Sequence, residues 1–426
     1  MEMLLIEGSQ PLQGELCISG SKNSSLPIII ASLLSNKESV LNNIPDLADT
    51  RFLFSLLSSL GIEHSGLSSS VRINSALITN DCAHYEYVRK MRASVLVLAP
   101  LLARLGRAKV SLPGGCAIGS RPVDIHLQGL RKLGAELEVK EGYIYAKLPK
   151  GNFIGAEFEL PLPSVGATEN LIMAGVLANG TTVLMRAAKE PEVVELCEAL
   201  NQAGAKITGH GTSNIIIEGV SSLNGLNHTI RPDRVEAGTY IALAAATKSK
   251  LVLKDIYLED LTSVIERFSH AGVEFGYDNN TSLTDLRIMP PERLIATDIE
   301  TAPHPGFPTD VQAQFMAAMA LAEGESVIYE RVFENRMMHV PELKRMGANI
   351  EVHNGVARVI GQTKLSRAQV MATDIRASAS LVIAALCAEG QSEIRRVYHL
   401  DRGYEALEKK LNMIGANIKR CSQPEN

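Results

Sequence analysis

The stretch LKRMGANIEVHNGVARVI, residues 343–360, holds one complete copy of the pattern that decides the fold. Leu343 and Met346 form an i, i+3 apolar pair, Gly347 follows, and the spacing then changes to the alternation Ala348-Asn349-Ile350-Glu351-Val352-His353. A helix that buries one apolar face and stops at a glycine able to take positive φ accounts for the first half. The alternation, the pair Asn354-Gly355 and a second alternating run from Val356 to Ile360 then predict a hairpin, because Asn-Gly accepts the two positive φ angles of a tight turn.

The helix-stop signature occurs six times, at residues 57–61, 130–134, 200–204, 268–272, 343–347 and 411–415, and its glycines are 73, 70, 68, 75 and 68 residues apart. One match means nothing; six at near-constant spacing mark a repeated unit. Each unit carries a second helical block, at residues 26–34, 93–105, 166–178, 235–246, 311–322 and 376–388. Runs such as Ile241-Ala242-Leu243-Ala244-Ala245-Ala246 and Leu381-Val382-Ile383-Ala384-Ala385-Leu386 have no solvated face, so these helices belong inside a domain. None approaches the ~18 uninterrupted apolar residues of a membrane span. The expected fold class is therefore α/β with the usual layering inverted, helices central and sheets outside with one wet face.

At 426 residues the chain exceeds what one core usually holds, and six units divide into two domains of three. Symmetry puts the crossing between a hairpin ending near Gly219 and a helix beginning near Val235, through Gly225, Asn227, His228 and Pro232. The pattern leaves open where the N-terminal strand, residues 3–6, packs. A net charge of −5 disfavours a general nucleic-acid surface. Residues 1–12 carry Glu2 and Glu7 and lack the basic start of a secretory signal. The six cysteines include no C-x-x-C pair, which argues against a disulfide framework or structural zinc and fits a reducing cytoplasm.

The most chemically suggestive segment is Pro113-Gly114-Gly115-Cys116-Ala117-Ile118-Gly119-Ser120-Arg121-Pro122-Val123-Asp124. Three glycines around a thiol give a backbone that can approach a ligand closely, with Arg121 and Asp124 just beyond; a glycine turn with an incidental cysteine is the competing reading. A thiol of pKa ~8.5 is mostly protonated at neutral pH and can serve as a general acid as well as a nucleophile. Ser19-Gly20-Ser21-Lys22-Asn23 reads locally as a capped helix with an exposed lysine before it reads as an anion cradle. Asp310, after His304-Pro305-Gly306-Phe307-Pro308-Thr309, is on local grounds a good N-cap. Asp374 with Arg376, and Asp401 with Arg402, are equally well explained as surface ion pairs.

Taken together, these segments resemble the UDP-N-acetylglucosamine enolpyruvyl transferase (1-carboxyvinyltransferase) family over essentially the whole chain. The matching motifs are Ser21-Lys22-Asn23, Pro113 to Cys116 with Arg121 to Asp124, Ser164-Val165-Gly166-Ala167-Thr168, Arg231 to Arg234, Phe307 to Asp310, Phe333 to Arg336, Thr373 to Arg376 and Asp401 to Tyr404. The resemblance implies two inside-out α/β barrel domains, each of three repeated βαβαββ-like units. Residues 22–229 would form the N-terminal domain with the Cys116 loop, and residues 1–21 with 230–426 the C-terminal one. It further implies an active site in a cleft between domains that closes on substrate.

The implied reaction moves the enolpyruvyl group of phosphoenolpyruvate to the 3′-hydroxyl of UDP-N-acetylglucosamine with release of phosphate, the first committed step toward peptidoglycan. A general acid, a general base and cations for phosphate and carboxylate meet its needs. Carried over by resemblance, Cys116 is the proton donor and Asp310 the base at the sugar hydroxyl. Lys22, Arg121 and Arg402 gather phosphoenolpyruvate, and Asn23 positions both substrates. Arg92, Arg121, Pro122, Val123, Asp124, Ile125, Ser164, Val165 and Val332 match the nucleotide-sugar site, while Arg336, Asp374 and Arg376 match polar positions near the reacting centre. No cofactor or metal is implied, and no nucleic-acid or membrane partner.

One departure is Leu162-Pro163, where some family members have Lys-Val, so a direct cationic contact to the diphosphate is absent there. Cys116 predicts alkylation by the epoxide fosfomycin. The nearest enzymatic rival is 5-enolpyruvylshikimate-3-phosphate synthase, which shares the fold and the donor but does not use this Gly-Gly-Cys loop. A catalytically silent UDP-sugar-binding paralogue is the rival from another class.

Overall fold

The computed structural model describes residues 2–67, 69–114, 123–277 and 283–423. The described chain forms two compact units, residues 20–114 with 123–231 and residues 2–19 with 232–423, each with its own apolar core.

All six stop glycines take positive φ: Gly61 87°, Gly134 95°, Gly204 103°, Gly272 94°, Gly347 96° and Gly415 103°. The Asn354-Gly355 turn has φ of 50° and 76°, and the strands Asn349–His353 and Val356–Ile360 pair around it with His353 opposite Val356. The helical blocks appear as Lys22–Ala31, Leu98–Leu105, Val165–Val176, Arg234–Thr247, Gln312–Met319 and Ile375–Cys387. Burial follows composition: every residue from Val235 to Ala246 and from Arg376 to Leu386 is buried. In the C-terminal unit the three helices pack on one another, and small side chains let their backbones approach. None of the described helices is long and apolar enough to cross a membrane.

Among the described residues, six four-stranded sheets accompany these helices, three in each unit. Each has one edge strand running parallel to its neighbour and antiparallel pairing elsewhere, as in Ile299–Glu300, Glu325–Tyr329, Val356–Ile360 and Asn349–His353. Strand faces alternate: in Glu325–Tyr329, Ser326 and Ile328 are buried and Glu325 is exposed. The N-terminal strand Glu2–Glu7, whose place the repeat pattern left open, fills the sheet of the sixth unit. It lies antiparallel between Gln391–Arg395 and Asn417–Ser422, with Leu4 opposite Ile394 and Arg420. The next strand, Gln13–Cys17, becomes the parallel edge of the sheet built on Lys250–Tyr257, so the chain start is stitched into two sheets of the C-terminal unit.

Candidate active site

In the C-terminal unit the site is built around Asp310. Phe307 and Phe315 bracket it in sequence and meet edge-to-face with centroids 5.4 Å apart, and Phe315 meets Phe268 at 5.1 Å. Such pairs add about 0.5–1.5 kcal/mol beyond their buried area, so the backbone on both sides of Asp310 is pinned to the core. Glu330 pins it again: its carboxylate accepts from Thr301 and Thr309 hydroxyls, both at 2.9 Å, and from the backbone N–H groups of Val332 at 2.9 Å and Phe333 at 3.1 Å. Val332 therefore owes its position to Glu330, which the sequence did not single out.

The N-cap reading of Asp310 does not hold. Asp310 lies inside the single turn Thr309–Val311, where Pro308 occupies the cap position, and its carboxylate turns to two arginines. Arg336 Nη2 donates to Oδ1 at 2.7 Å and Arg376 Nη2 to Oδ2 at 3.4 Å, and both guanidinium side chains are about 95% buried, at 4% and 5% exposure. Burial works against the charge of Arg376, but Tyr404, Asp310 and Asp233 outweigh it and keep its pKa raised. Nη1 of each arginine is buried without a partner among the described residues. Two fixed cationic donors with unspent hydrogens beside a carboxylate suit a ligand carrying both an anion and a hydroxyl.

The surface-ion-pair readings fail as well. Asp374 does not pair with Arg376; it caps the helix Ile375–Cys387, Oδ1 accepting from the N–H groups of Arg376 at 2.8 Å and Ala377 at 3.0 Å. Asp401 pairs with Arg420 instead of Arg402, at 2.6 and 3.0 Å. Arg402 ends the turn Val397–Arg402 beside His399, whose pKa is lowered by burial and then by Arg402. Gly403 is needed for close approach: a Cβ there would stand 2.2 Å from Ile375 Cγ2 and 3.5 Å from Arg376 Nη1. His339, fully buried with both ring nitrogens unpartnered among the described residues, is held neutral by burial, which lowers its pKa.

In the N-terminal unit, Ser21 caps the helix Lys22–Ala31 by accepting from Ser24 N–H. The exposed-lysine reading is overturned, because Lys22 is buried and its Nζ lies 2.7 Å from Asp49 Oδ2. Asn23 follows, half-buried on the first turn. Arg92 begins the turn Arg92–Val97, Asp124 and Ile125 begin the helix Asp124–Lys132, and Ser164 caps Val165–Val176. His126 joins the last two: its Nδ1 is 3.0 Å from Asn170 Nδ2, and a Cβ on Gly166 would be 3.4 Å from the ring. Burial, with help from Arg92, lowers the His126 pKa to about 4. Leu162 is exposed and supplies no charge ahead of Ser164. Cys116, Arg121 and Pro122 lie outside the described residues; Val123 immediately precedes the helix that carries Asp124.

Comparison with known proteins shows the family. The family described as EPSP synthase (3-phosphoshikimate 1-carboxyvinyltransferase) matches residues 6–411. A UDP-N-acetylglucosamine 1-carboxyvinyltransferase of Granulibacter bethesdensis is 51% identical over 424 residues, covering 99% of this chain and 100% of the relative. This chain belongs to the enolpyruvyl (carboxyvinyl) transferase family. Its likeness extends to the enzyme of the same name from Dinoroseobacter shibae, 50% identical with 99% and 100% of the two chains covered. The transferase fold is shared with NikO from Streptomyces tendae, at TM-score 0.89 and 24% identity over 99% of each chain. An EPSP synthase from Acinetobacter baumannii aligns at TM-score 0.76 and 18% identity, over 99% of this chain and 100% of that one. Those two likenesses bear on the fold alone. Asp49, His126, Glu330 and Tyr404 adjoin the candidate residues and were not singled out from the sequence, and of the four only Tyr404 lay inside a recognised motif.

Proposed function

We propose that this transferase moves the enolpyruvyl group of phosphoenolpyruvate to the 3′-hydroxyl of UDP-N-acetylglucosamine, releasing phosphate, in the first committed step of peptidoglycan synthesis. The observation that carries the choice of acceptor is the near-full-length likeness to enzymes named for that nucleotide sugar. The Asp310 cluster supports the chemistry. In this reading a proton passes from the Cys116 thiol to the methylene carbon of phosphoenolpyruvate, and the sugar oxygen attacks the resulting cationic carbon while Asp310 takes its proton. The tetrahedral adduct then loses phosphate and a methyl proton, restoring the double bond. Lys22, Arg121 and Arg402 hold the phosphate and carboxylate, and Asn23 aligns donor and acceptor. Arg92, Pro122 to Ile125, Ser164, Val165 and Val332 receive the nucleotide sugar, with backbone groups serving where Leu162-Pro163 offers no cation. Arg336 and Arg376 hold Asp310 in place; Asp374 holds the helix that presents Arg376. We assign the enzyme to the cytoplasm, with residues 22–229 and residues 1–21 with 230–426 as its two domains.

Phosphate release measured with phosphoenolpyruvate and either UDP-N-acetylglucosamine or shikimate 3-phosphate tests the assignment. Turnover with the nucleotide sugar alone is expected; release only with shikimate 3-phosphate, or none with either, overturns it.

A further inference from the structure

Tyr404 is 2% exposed, and its hydroxyl sits in a cluster that reaches Asp310 from two directions. Thr239 spends its own hydrogen on the carbonyl of Val235, 2.8 Å away. Its Oγ1 is therefore an acceptor toward Tyr404 Oη at 2.8 Å and Gln314 Nε2 at 3.0 Å. The Gln314 amide also reaches Tyr404 Oη at 3.1 Å and the backbone carbonyl of Asp310 at 3.0 Å. On its other side, the Tyr404 ring packs 5.5 Å from Cζ of Arg376, the residue that donates to Asp310 Oδ2. Burial raises the Tyr404 pKa, so the group is a neutral phenol and its ring a π face for the guanidinium.

The two arginines are held unequally. Arg336 meets Asp310 at 2.7 Å and Arg376 only at 3.4 Å, a distance at which small displacements decide whether the bond exists. Besides its ion pair with Asp310, the Arg376 guanidinium has the Tyr404 ring 5.5 Å away. Gly403 lets the turn carrying Tyr404 come this close. We propose that Tyr404 is a positioning residue which, with Gln314 and Thr239, ties the three inner helices of this unit together and sets both the backbone and the arginine partner of Asp310. The inference rests on the reading of Asp310 as the group that takes the acceptor's proton.

Tyr404→Phe keeps the ring and removes the hydroxyl; Gln314→Met removes the link to the Asp310 carbonyl. In steady-state assays with phosphoenolpyruvate and UDP-N-acetylglucosamine, each variant is expected to lose about tenfold in kcat while KM for both substrates stays within about twofold, the signature of lost alignment. A cycle of Tyr404→Leu, which removes the ring as well, with Arg376→Lys is expected to be non-additive, the double variant being little worse than the worse single variant. Losses that multiply, or wild-type kcat in both single variants, overturn the proposal. If Tyr404→Phe does not fold, judged by its thermal unfolding, Gln314→Met decides the question by the same kcat and KM criteria. Asp310→Asn is run beside them: retained turnover there removes the premise about Asp310, whereas a dead Asp310→Asn with a fully active Tyr404→Phe and Gln314→Met removes only the positioning role.

Discussion

His126 offers a prediction whose size can be worked out before measurement. The residue is 8% exposed, its ring packs against Gly166 and meets Asn170, and its pKa is lowered from 6.5 to about 4 by burial and then by Arg92. That shift corresponds to about 3 kcal/mol favouring the neutral imidazole in the folded state. Between pH 6.5 and 4 the unfolded chain binds a proton that the folded chain does not, so stability rises with pH across this window. Stability is therefore lost as pH falls from 6.5 toward 4, amounting to about 2 kcal/mol at pH 5, and the loss levels off below 4. Carbon-13 labelling at histidine Cε1, with His126→Gln identifying the resonance, reads the midpoint directly. The expectation is no titration of His126 between pH 7.5 and 5, and a shallower decline of the urea midpoint with acid in His126→Gln. A midpoint near 6.5 in the folded protein would refute the reasoning, because the ring would then be solvated and could not be packing Asp124–Lys132 against Val165–Val176.

Asp49→Asn leaves the buried Lys22 ammonium facing a neutral amide, which is expected to destabilise the protein by about 3 kcal/mol and to weaken phosphoenolpyruvate binding; denaturant unfolding and KM for the donor check both. Gly403→Ala drives a methyl into Ile375 and toward Arg376, with an expected cost of about 1–3 kcal/mol and a fall in kcat, and an unchanged thermal midpoint would show that the turn has room. Cys116→Asp is expected to keep turnover and escape alkylation by fosfomycin, since a carboxylic acid can also deliver a proton, while Cys116→Ser is expected to be strongly impaired. Mass spectrometry of the adduct and steady-state rates decide that pair, and a dead Asp variant would speak against the acid role.

The fold was legible because its signals are local. Six glycines at positive φ, the Asn354-Gly355 turn and helices with no polar face each follow from a few adjacent residues, and the covering of those helices by sheets follows from the faces they leave. The pattern alone could not pair Glu2–Glu7, although the resemblance put residues 1–21 with the C-terminal domain, because the strand finds its register against residues 391–395 and 417–422 and nothing near Met3 names those partners. The same separation hid the support of the site. His126 meets Asn170 44 positions away and Thr239 meets Tyr404 165 positions away, and buried polar pairs of this kind leave no periodicity. Local reasoning failed where one side chain had two possible uses. Asp310 carries every mark of an N-cap, yet two buried guanidiniums compete for its carboxylate and win, while Pro308 takes the cap position. At Asp374 the outcome is reversed, and the cap wins over the neighbouring arginine.

These two outcomes share one cause. An inner helix with no polar face has mainly its ends on which to carry chemistry, and here several of the candidate groups stand at N-terminal ends. Lys22 opens its helix, Arg92 opens the turn leading into Leu98–Leu105, and Ser164 caps the third. Asp233 caps Arg234–Thr247, Asp310 precedes Gln312–Met319, and Asp374 caps Ile375–Cys387. Helix N-termini present unpaired N–H groups and the positive end of the dipole, so an Asp placed there caps the helix unless a stronger cationic partner draws its carboxylate away. At Asp374 and Asp233 the backbone takes the carboxylate. At Asp310 the single turn Thr309–Val311 precedes the helix, and the carboxylate goes to Arg336 and Arg376. The residue that departs from capping geometry is thus the one the proposed reaction asks to accept a proton.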